Sequence, residues 1–312
     1  MDLNHFDLNL LRSLDILLEE KNVTKAGERL FVTQQAASSA LARLRTHFED
    51  DLLVRVGRHL ELTPLAESLI KPVRETLLYA QAALDARPQF DAATVRRVCR
   101  IAMTDYSILV VLPRIVRRLA SVAPGIRCLV EPVTRDSFER LEMGHLDFCI
   151  TAHDWRLYGD RRPGPNIRDE PIFRDDFVCV VDDALFPARE QLTLERYAGM
   201  SHSSVEFGQG VATLVEKAWA ASGLDIAVSI TLPSFSSLLM VLPGTQLVAT
   251  TQRRLAMTLA PNLGLRILEC PLEVAVLQEN LLWHERNEMN PASRFLRGLF
   301  ADAAAELDAE TS

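Results

Sequence analysis

Amide, hydroxyl and guanidinium side chains are concentrated on one face of a short helix predicted near the start of this 312-residue chain. In the segment QQAASSALARLRTHF, residues 34–48, a step of about 100° per residue groups the apolar side chains on one side. The other side carries Gln34, Gln35, Ser38, Arg43 and Arg45. A slim helix of this kind fits the major groove of DNA, where amides pair with adenine and guanidinium groups pair with guanine or phosphate. The pattern therefore predicts a DNA-reading helix.

Two further helices are predicted ahead of this one, and each has a polar residue placed to cap it. Asp7 precedes a stretch of apolar periodicity over residues 8–18, and Thr24 precedes a shorter helical stretch. Thr33 is placed to cap the DNA-reading helix, and its hydroxyl and the adjacent helix N-terminus also suit a phosphate group. Helix, turn and helix in this order predict a helix-turn-helix.

A β-hairpin is predicted directly after the DNA-reading helix. Apolar and polar side chains alternate over residues 54–56 and again over residues 60–62, on either side of Gly57-Arg58. A hairpin in this position is the wing of a winged helix-turn-helix. Arg55 and Arg58 at its tip would contact the phosphate backbone or the neighbouring minor groove.

A long helix follows from Thr63-Pro64, which is an N-cap residue followed by proline at the first helical position. The helix carries one apolar stripe at steps of three and four residues, formed by Leu65, Leu69, Val73, Leu77, Ala80 and Leu84. A single stripe on a long helix predicts a partner helix, and we interpret this helix as a dimerisation linker. The alternative is that the stripe packs within the same chain.

From residue 95 onward, β-like segments such as VCRIAM, IRCLVEP, FVCVV and QLVAT alternate with amphipathic helical stretches. This alternation predicts an α/β fold with mostly parallel sheets. The polar, turn-rich run GDRRPGPNIRDEP, around residues 160–175, suggests a crossing between two lobes, whose cleft would bind a small molecule. The predicted domains are a winged helix-turn-helix at 1–62, a linker helix at 63–90 and an effector-binding domain at 91–312, with lobe I at about 95–165 and 268–312 and lobe II at about 166–267.

Composition and charge limit the class of protein. No run of 18 apolar residues exists and the N-terminus lacks a basic cluster ahead of an apolar stretch, so we expect no membrane span, no secretory signal and a cytoplasmic location. The net charge is −8, yet residues 21–60 hold seven basic and four acidic side chains, which leaves a locally basic face for DNA. The five cysteines are dispersed, and we interpret them as buried reduced thiols without a metal.

The first 70 residues resemble the N-terminal module of LysR-type transcriptional regulators. The matching segments are DLNLLRSLDILLEEKNVTKAGERLFVTQQAASSALARLR and DDLLVRVGRHLELTPLAESL, and LEMGHLDFCI resembles the family's L-x-x-G-x-x-D segment. The closing LLWHERNEMNPASRFLRGLF resembles a branch that includes nodulation regulators and regulators of aromatic catabolism. One departure is that Gln35 stands where many relatives have proline, which puts an additional adenine-reading amide on the helix.

The resemblance implies an all-α winged helix-turn-helix with a linker helix, joined to a two-lobed α/β effector domain like that of periplasmic binding proteins. It also implies homodimers or dimers of dimers that bind promoter DNA and contact RNA polymerase, as activators or repressors, with no cofactor. Relatives hold their inducer near the position of Thr104, which follows a strand end, where open α/β sheets bind ligands. We therefore expect a small aromatic inducer to contact Thr104, Tyr106, Ser107, Phe207, Phe235 and Ser236.

Two other classes of protein share a two-lobed α/β cleft. A solute-binding protein is disfavoured by residues 1–62 and by the expected lack of a secretory signal. An enzyme is disfavoured because no catalytic constellation is present: the S-x-x-K spacing at Ser68–Lys71 lacks the S-D-N and K-T-G motifs that accompany it in penicillin-binding enzymes.

Overall fold

The structure is a computed structural model of the chain. It describes residues 6–57, 59–85, 90–154, 157, 162–186, 191–206 and 212–309. The chain divides into two compact units, residues 1–87 and 88–312. None of the helices in the described part of the chain combines the length and apolar character that a membrane crossing requires.

The N-terminal unit has four helices and one hairpin within its described residues. In chain order they are α1 (Asn9–Glu20), α2 (Val23–Leu30), α3 (Gln34–Phe48), β1 (Leu53–Val56), β2 (His59–Leu62) and α4 (Pro64–Asp85). The antiparallel register of β1 and β2 pairs Leu53 with Leu62 and Val56 with His59, so the predicted wing hairpin is confirmed.

Two of the four predicted helix caps are confirmed, those at Thr33 and Thr63. The Thr33 hydroxyl accepts the amide of Ala36 at 3.2 Å. Asp7 accepts the amide of Asn9 at 3.1 Å, but the N-cap position of α1 is occupied by Leu8, whose side chain cannot cap the helix. The predicted cap at Thr24 is wrong, because the side chain of Asn22 accepts the amides of Thr24 and Lys25 at 3.0 and 3.1 Å. Asn22 stands one residue ahead of the first helical residue, which is where a capping side chain can reach the free amides.

The apolar side of α4 packs against α1 over the first half of the helix, although Leu65 of the predicted stripe is exposed. Ala66 and Val73 are buried in the core of the unit, and Leu69, Ile70 and Leu77 pack against that core. The alternative of packing within the chain therefore holds for this half of the helix. Further along α4, apolar side chains reach solvent, with Tyr79 47% and Leu84 77% exposed.

One carboxyl oxygen makes two of the contacts that fix the loop between α3 and the wing. Oδ1 of Asp50 accepts both the amide of Leu52 and the hydroxyl of Thr63 at 2.6 Å. The same Thr63 hydroxyl accepts the amide of Ala66 at 3.1 Å and so caps α4, as predicted. The positions of wing and α4 are thus both set by contacts at the end of α3.

The C-terminal unit contains two five-stranded sheets in its described residues. The first lobe begins with β3 (Arg97–Met103), α5 (Asp105–Val110), α6 (Leu112–Val122), β4 (Ile126–Pro132), α7 (Ser137–Glu142), β5 (Phe148–Ala152) and β6 (Ile167–Asp175). The second lobe consists of β7 (Phe177–Asp182), α8 (Leu194–Gly199), β8 (Ser201–Val205), α9 (Leu214–Ser222), β9 (Val228–Leu232), α10 (Phe235–Met240), β10 (Leu247–Gln252), α11 (Arg253–Leu263) and β11 (Leu265–Glu269). The chain then returns to the first lobe as β12 (Leu277–His284), a 3-10 turn (Glu285–Asn287) and α12 (Pro291–Ala309).

In each sheet four strands run in the same direction and one runs antiparallel, so the prediction of mostly parallel sheets is confirmed. The strand orders are β4-β3-β5-β12-β6 and β11-β7-β10-β8-β9. Strand β3 is parallel to β4 and β5, and β8 is parallel to β9 and β10, as expected for strands joined through helices. Strands β12 and β7 are antiparallel to their neighbours, because they enter their sheets from the other lobe rather than through a helical crossover.

The first crossing between the lobes lies later than the sequence predicts. Residues 167–175 form β6 at the edge of the first sheet, and the chain passes to the second sheet at Asp176. The lobe boundary predicted at 165–166 therefore moves to about 175–176. The run has a loop-like composition because β6 is an edge strand with exposed side chains, a position that tolerates Pro171.

The cysteines lie within the two lobes as free thiols. Cys99, Cys149 and Cys179 are buried, as the sequence predicts, whereas Cys128 and Cys270 are half-buried.

Replacing Thr63 with Val should destabilise the N-terminal unit by about 1–2 kcal/mol, because the α4 cap and the bond to Asp50 are both lost while the side-chain volume is kept. Hydrogen exchange followed by mass spectrometry would show faster exchange in peptides of residues 9–85. Thr76→Val is the matched control, since that exposed hydroxyl only bonds the carbonyl of Pro72 within the helix. Equal exchange in the two variants would contradict the role assigned to Thr63.

Candidate functional site

One face of α3 is packed and the opposite face is open to solvent. Ala37, Leu41 and Leu44 are buried. The exposed side chains are small or polar and include Gln34, Gln35, Ala36, Ser38, Ser39, Ala42, Arg43 and Thr46. Ala36 was expected on the packed side, and its exposure makes the open face slimmer. This arrangement matches what a helix needs in order to enter the major groove.

The two arginines of α3 have different surroundings. The side chain of Arg43 is 57% exposed, with Nη2 at 3.0 Å from Oδ2 of Asp7. The amide of Asn9 and the guanidinium of Arg43 lower the pKa of Asp7. Arg45 instead donates from Nε and Nη2 to the carbonyl oxygens of Asp51 and Leu53, both at 2.7 Å. Its guanidinium is therefore directed at the loop that leads into the wing rather than at the open face where the sequence puts it.

The wing presents Arg55 as an exposed side chain, with Nε at 3.3 Å from the carbonyl oxygen of Gly57. Gly57 has a φ of 63°, a left-handed conformation that suits glycine at the turn. The other predicted wing residue, Arg58, lies outside the described residues.

A cavity of about 290 Å³ lies between the two lobes of the C-terminal unit. Most of its lining is apolar and comes from both lobes, with Met103, Ile108 and Ala152 on one side and Phe177, Leu214 and Phe235 on the other. The polar side chains around it are few: Thr104, Asp105, Thr134, Arg135, Thr213, Ser234, Gln252 and Glu279. An apolar cleft with a few convergent polar groups is the usual form of a small-molecule site. In the described part of the chain, no group of three or more His, Cys, Asp or Glu side chains is arranged to hold a metal ion.

The structure brings together two of the predicted effector contacts at this cavity. Thr104 and Phe235 both line it. Thr104 also caps α5, where its hydroxyl accepts the amide of Ser107 at 3.2 Å and donates to the hydroxyl of Ser107 at 3.0 Å. Phe207 lies outside the described residues.

The other three predicted contacts are not among the described residues that line the cavity. Tyr106 is fully buried, and its hydroxyl donates to Oδ2 of Asp175 at 2.7 Å. Ser107 is fully buried beneath Thr104. Ser236 donates its backbone amide to Oδ2 of Asp105 at 2.8 Å, which connects α5 in one lobe to α10 in the other. We predicted these residues at the cavity because they follow strand ends. In the structure, Tyr106 and Ser107 are buried within the first lobe, and Ser236 uses its backbone amide to contact Asp105.

A functional candidate that the sequence reasoning missed is Glu279. It lies in the middle of β12, is only 2% exposed and lines the cavity. Burial raises the pKa of Glu279 to about 8, since the hydrogen bond from Ser107 offsets burial only in part and the carboxyl of Asp175 raises the pKa further. The available signal was a lone acidic residue in the apolar run AVLQENLLWH.

A second buried carboxyl lies at the lobe crossing. Asp175 is 6% exposed and accepts both the Tyr106 hydroxyl and the amide of Arg254, the latter at 3.1 Å. Burial raises the pKa of Asp175, and these hydrogen bonds oppose that shift.

Known protein families match both parts of the chain. Residues 8–67 match the bacterial regulatory helix-turn-helix model of the lysR family, and residues 92–305 match the LysR substrate binding domain. The chain belongs to the LysR family of regulators. Nodulation protein D 2 of Rhizobium tropici is 36% identical over 300 residues, which cover 96% of this chain and 93% of that protein. Nodulation protein D 1 of the same organism is 34% identical over 302 residues, which cover 96% of each chain.

Solved structures support the same fold for this LysR regulator. A probable transcriptional regulator from Pseudomonas aeruginosa is 28% identical, covers 96% of this chain and 97% of its own, and gives a TM-score of 0.63. The regulatory domain of MexT, a transcriptional activator in Pseudomonas aeruginosa, is 25% identical and covers 68% of this chain and 100% of its own, with a TM-score of 0.58. The family and fold predicted from the sequence are therefore confirmed, as is the resemblance to nodulation regulators. The protein is a ligand-responsive transcriptional regulator of the LysR type.

Replacing Glu279 with Gln should make the thermal stability of the LysR regulator less dependent on pH. Between about pH 4.5 and 8 the carboxyl holds its proton in the folded state and loses it in the unfolded chain, so the free energy of unfolding falls as pH rises. The amide of the variant does not titrate, so Glu279→Gln should raise the melting temperature relative to the wild type by more at about pH 8 than at about pH 5. Melting can be followed through Trp219 and Trp283 fluorescence.

Glu273→Gln is the matched control, because Glu273 is exposed and lies six residues earlier on the same segment. It should shift the melting temperature equally at the two pH values. A pH-independent effect of Glu279→Gln would show that the buried carboxyl is ionised in the folded protein.

Proposed function

We propose that this regulator reads promoter DNA through the open face of α3 and the wing, and that a small aromatic inducer in the lobe cavity controls it. The observation that carries the DNA part is the division of α3 into a buried apolar side and an exposed side of small and polar residues. Gln34, Gln35, Ser38 and Arg43 are the proposed groove contacts. Amides and a guanidinium group are the side chains that make bidentate contacts with adenine and guanine.

The residues around this face take supporting roles in the proposal. Thr33 and the α3 N-terminus would bind a phosphate, as helix N-termini commonly do. Arg55 would contact the backbone from the wing, and Arg58 stays a prediction for the same role. Arg45 positions the wing loop through its two carbonyl contacts rather than binding DNA itself.

The control mechanism rests on the two lobes that form the cavity. A ligand that touches both lobes binds their possible arrangements with different affinity and so shifts the population between them. We infer that this shift acts on promoter DNA in the cytoplasm, through dimers or dimers of dimers that contact RNA polymerase. A two-fold symmetric dimer would require an inverted-repeat operator.

The aromatic inducer is supported by the shape and chemistry of the cavity. Its volume of about 290 Å³ and its mainly apolar lining suit a small ring system, and Phe177 and Phe235 offer ring contacts. We infer that the cavity binds its ligand without transforming it, as the named regulators among the relatives suggest. A solute-binding protein or an enzyme with the same cleft would have no use for the open face of α3.

Replacing Arg43 with Ala should weaken binding to the chain's own upstream DNA by about 1–3 kcal/mol if the guanidinium reads a base. A gel-shift titration over a series of salt concentrations measures this loss and separates base from phosphate contact. If Arg43 contacts a phosphate, its loss should also reduce the slope of log affinity against log salt concentration by about one. If Arg43 contacts a base, the slope should stay nearly unchanged.

The matched control is Arg100→Ala, since Arg100 is exposed on β3 in the other unit and its loss changes the net charge equally. Arg100→Ala should bind as the wild type does. If Arg43→Ala bound as tightly as Arg100→Ala at every salt concentration, Arg43 would not contact DNA. Failure of the wild type to bind any upstream fragment would contradict the proposed promoter target.

A thermal-shift screen should find stabilisation by small aromatic compounds and none by sugars or amino acids. A ligand present at about 100 times its dissociation constant should raise the free energy of unfolding by about 2.7 kcal/mol. Leu214→Trp would fill the cavity and remove the shift, whereas Leu194→Trp, on the exposed part of α8, would keep it. Stabilisation by non-aromatic ligands alone would contradict the proposed inducer class.

A further inference from the structure

The wall of the cavity contains a carboxyl group that is only partly satisfied. Oε2 of Glu279 is buried and has no hydrogen-bond partner among the described residues, although the side chain belongs to the cavity lining. Leaving a buried polar atom unpaired costs about 1–3 kcal/mol, so such atoms normally meet a ligand or an ordered water. An unpaired carboxyl oxygen on a residue that lines a cavity is therefore a candidate for ligand recognition.

A short chain of hydrogen bonds connects this carboxyl to the start of α5. The Thr104 hydroxyl donates to that of Ser107 at 3.0 Å, and the Ser107 hydroxyl in turn bonds the carboxyl of Glu279. Ser107 is fully buried at the start of α5, so water does not compete for its hydrogen bond to the carboxyl. The ladder is irregular here, since the pairing of β6 with β12 skips Ile172 of β6, next to the partner of Glu279. Bulges of this kind are common next to functional sites.

The groups packed around Glu279 favour its neutral form. Asp175 from β6, Tyr106 from α5 and Cys149 from β5 are its titratable neighbours, and none of them supplies a positive charge. Arg254 lies on the far side, where its amide bonds Asp175 and its charge acts on Asp175 and Tyr106. A protonated carboxyl in an apolar wall offers one O–H donor.

The charges at the cavity itself balance when Glu279 is neutral. Asp105 and the half-buried Arg135 both belong to the lining and carry opposite charges. A ligand carboxylate would therefore meet one cation and one anion, and it would lose its hydration in a mainly apolar space. An uncharged ligand with an acceptor oxygen incurs no such cost.

We propose that Glu279 is the specificity-determining residue of the cavity, donating a hydrogen bond from its protonated carboxyl to a carbonyl or hydroxyl oxygen of an uncharged ligand. This inference rests on the proposed function of the cavity as the inducer site. It assigns the cavity to neutral oxygen-bearing molecules in preference to carboxylates and amines.

Three probes with one ring and different charge test the inference on the full chain: acetophenone, benzoate and benzylamine. Binding is measured by ligand-observed NMR titration at about pH 6.5 and about pH 9, between which Glu279 ionises. Acetophenone only accepts hydrogen bonds, so we expect it to bind best at the lower pH and to lose about tenfold in affinity at the higher pH.

Variants separate hydrogen bonding from charge. Glu279→Gln keeps an N–H donor at both pH values, so acetophenone should bind with less than about twofold pH dependence. Glu279→Leu lacks the donor and should bind acetophenone about five- to tenfold more weakly at the lower pH. Glu273→Gln, the exposed control, should keep the wild-type profile.

Two results would overturn the inference: tighter binding of benzoate or benzylamine than of acetophenone at the lower pH, or an unchanged pH profile in Glu279→Gln. Leu214→Trp distinguishes a failure of the role of Glu279 from a failure of the cavity as the ligand site. If it abolishes binding while Glu279 variants have no effect, only the role of Glu279 fails. If it leaves binding intact, or if no probe binds to the wild type, the cavity is not an aromatic site and both proposals fail.

Discussion

The carboxyl of Asp175 joins both lobes of the C-terminal unit at the point where the chain leaves the first sheet. It accepts a hydrogen bond from the Tyr106 hydroxyl of α5 and another from the amide of Arg254 at the start of α11. A buried carboxyl is costly without such donors, so these three elements must stay together for the fold to be stable. The cavity depends on this contact, because α5 carries Thr104 and Asp105 to its wall and β12 beside β6 carries Glu279.

The same principle organises the N-terminal unit, where buried or half-buried polar groups fix the loop after α3. Arg45 satisfies two carbonyl oxygens and Asp50 satisfies an amide and a hydroxyl. Side chains near the open face thus divide into those that hold the loop and those that remain available to a partner. Arg43 belongs to the second group despite its contact with Asp7, because more than half of its side chain is exposed. Surface ion pairs of this kind are weak and exchange readily for a phosphate or a base.

Local patterns in the sequence predicted the helices, the wing and most strands, because periodicity and caps are local properties. Strand β4 was predicted at its observed bounds. Strands β6 and β8 were missed for opposite reasons: β6 is an exposed edge strand with Pro171, and β8, SHSSV, buries polar side chains such as His202 and Ser203. The direction of Tyr106 and Arg45 and the burial of Glu279 depend on tertiary contacts far along the chain, which periodicity does not contain. Thr104 and Phe235 were found because a residue just after a strand end keeps its position whatever the partner strand is.

The skipped residue in β6 has a consequence for insertions and deletions. Glu279 pairs with Phe173 and Asn280 pairs with Pro171, so Ile172 is an extra residue in the ladder. Directly paired residues of antiparallel strands share a face, so Phe173 and Pro171 lie on opposite faces although they are two positions apart. A deletion of Ile172 would make them neighbours in a regular ladder and would keep each of them on its present face. A deletion elsewhere in β6 would instead reverse the alternation on one side of the cut. The extra residue therefore makes the position of a length change within β6, and not only its size, decide whether the sheet keeps its faces.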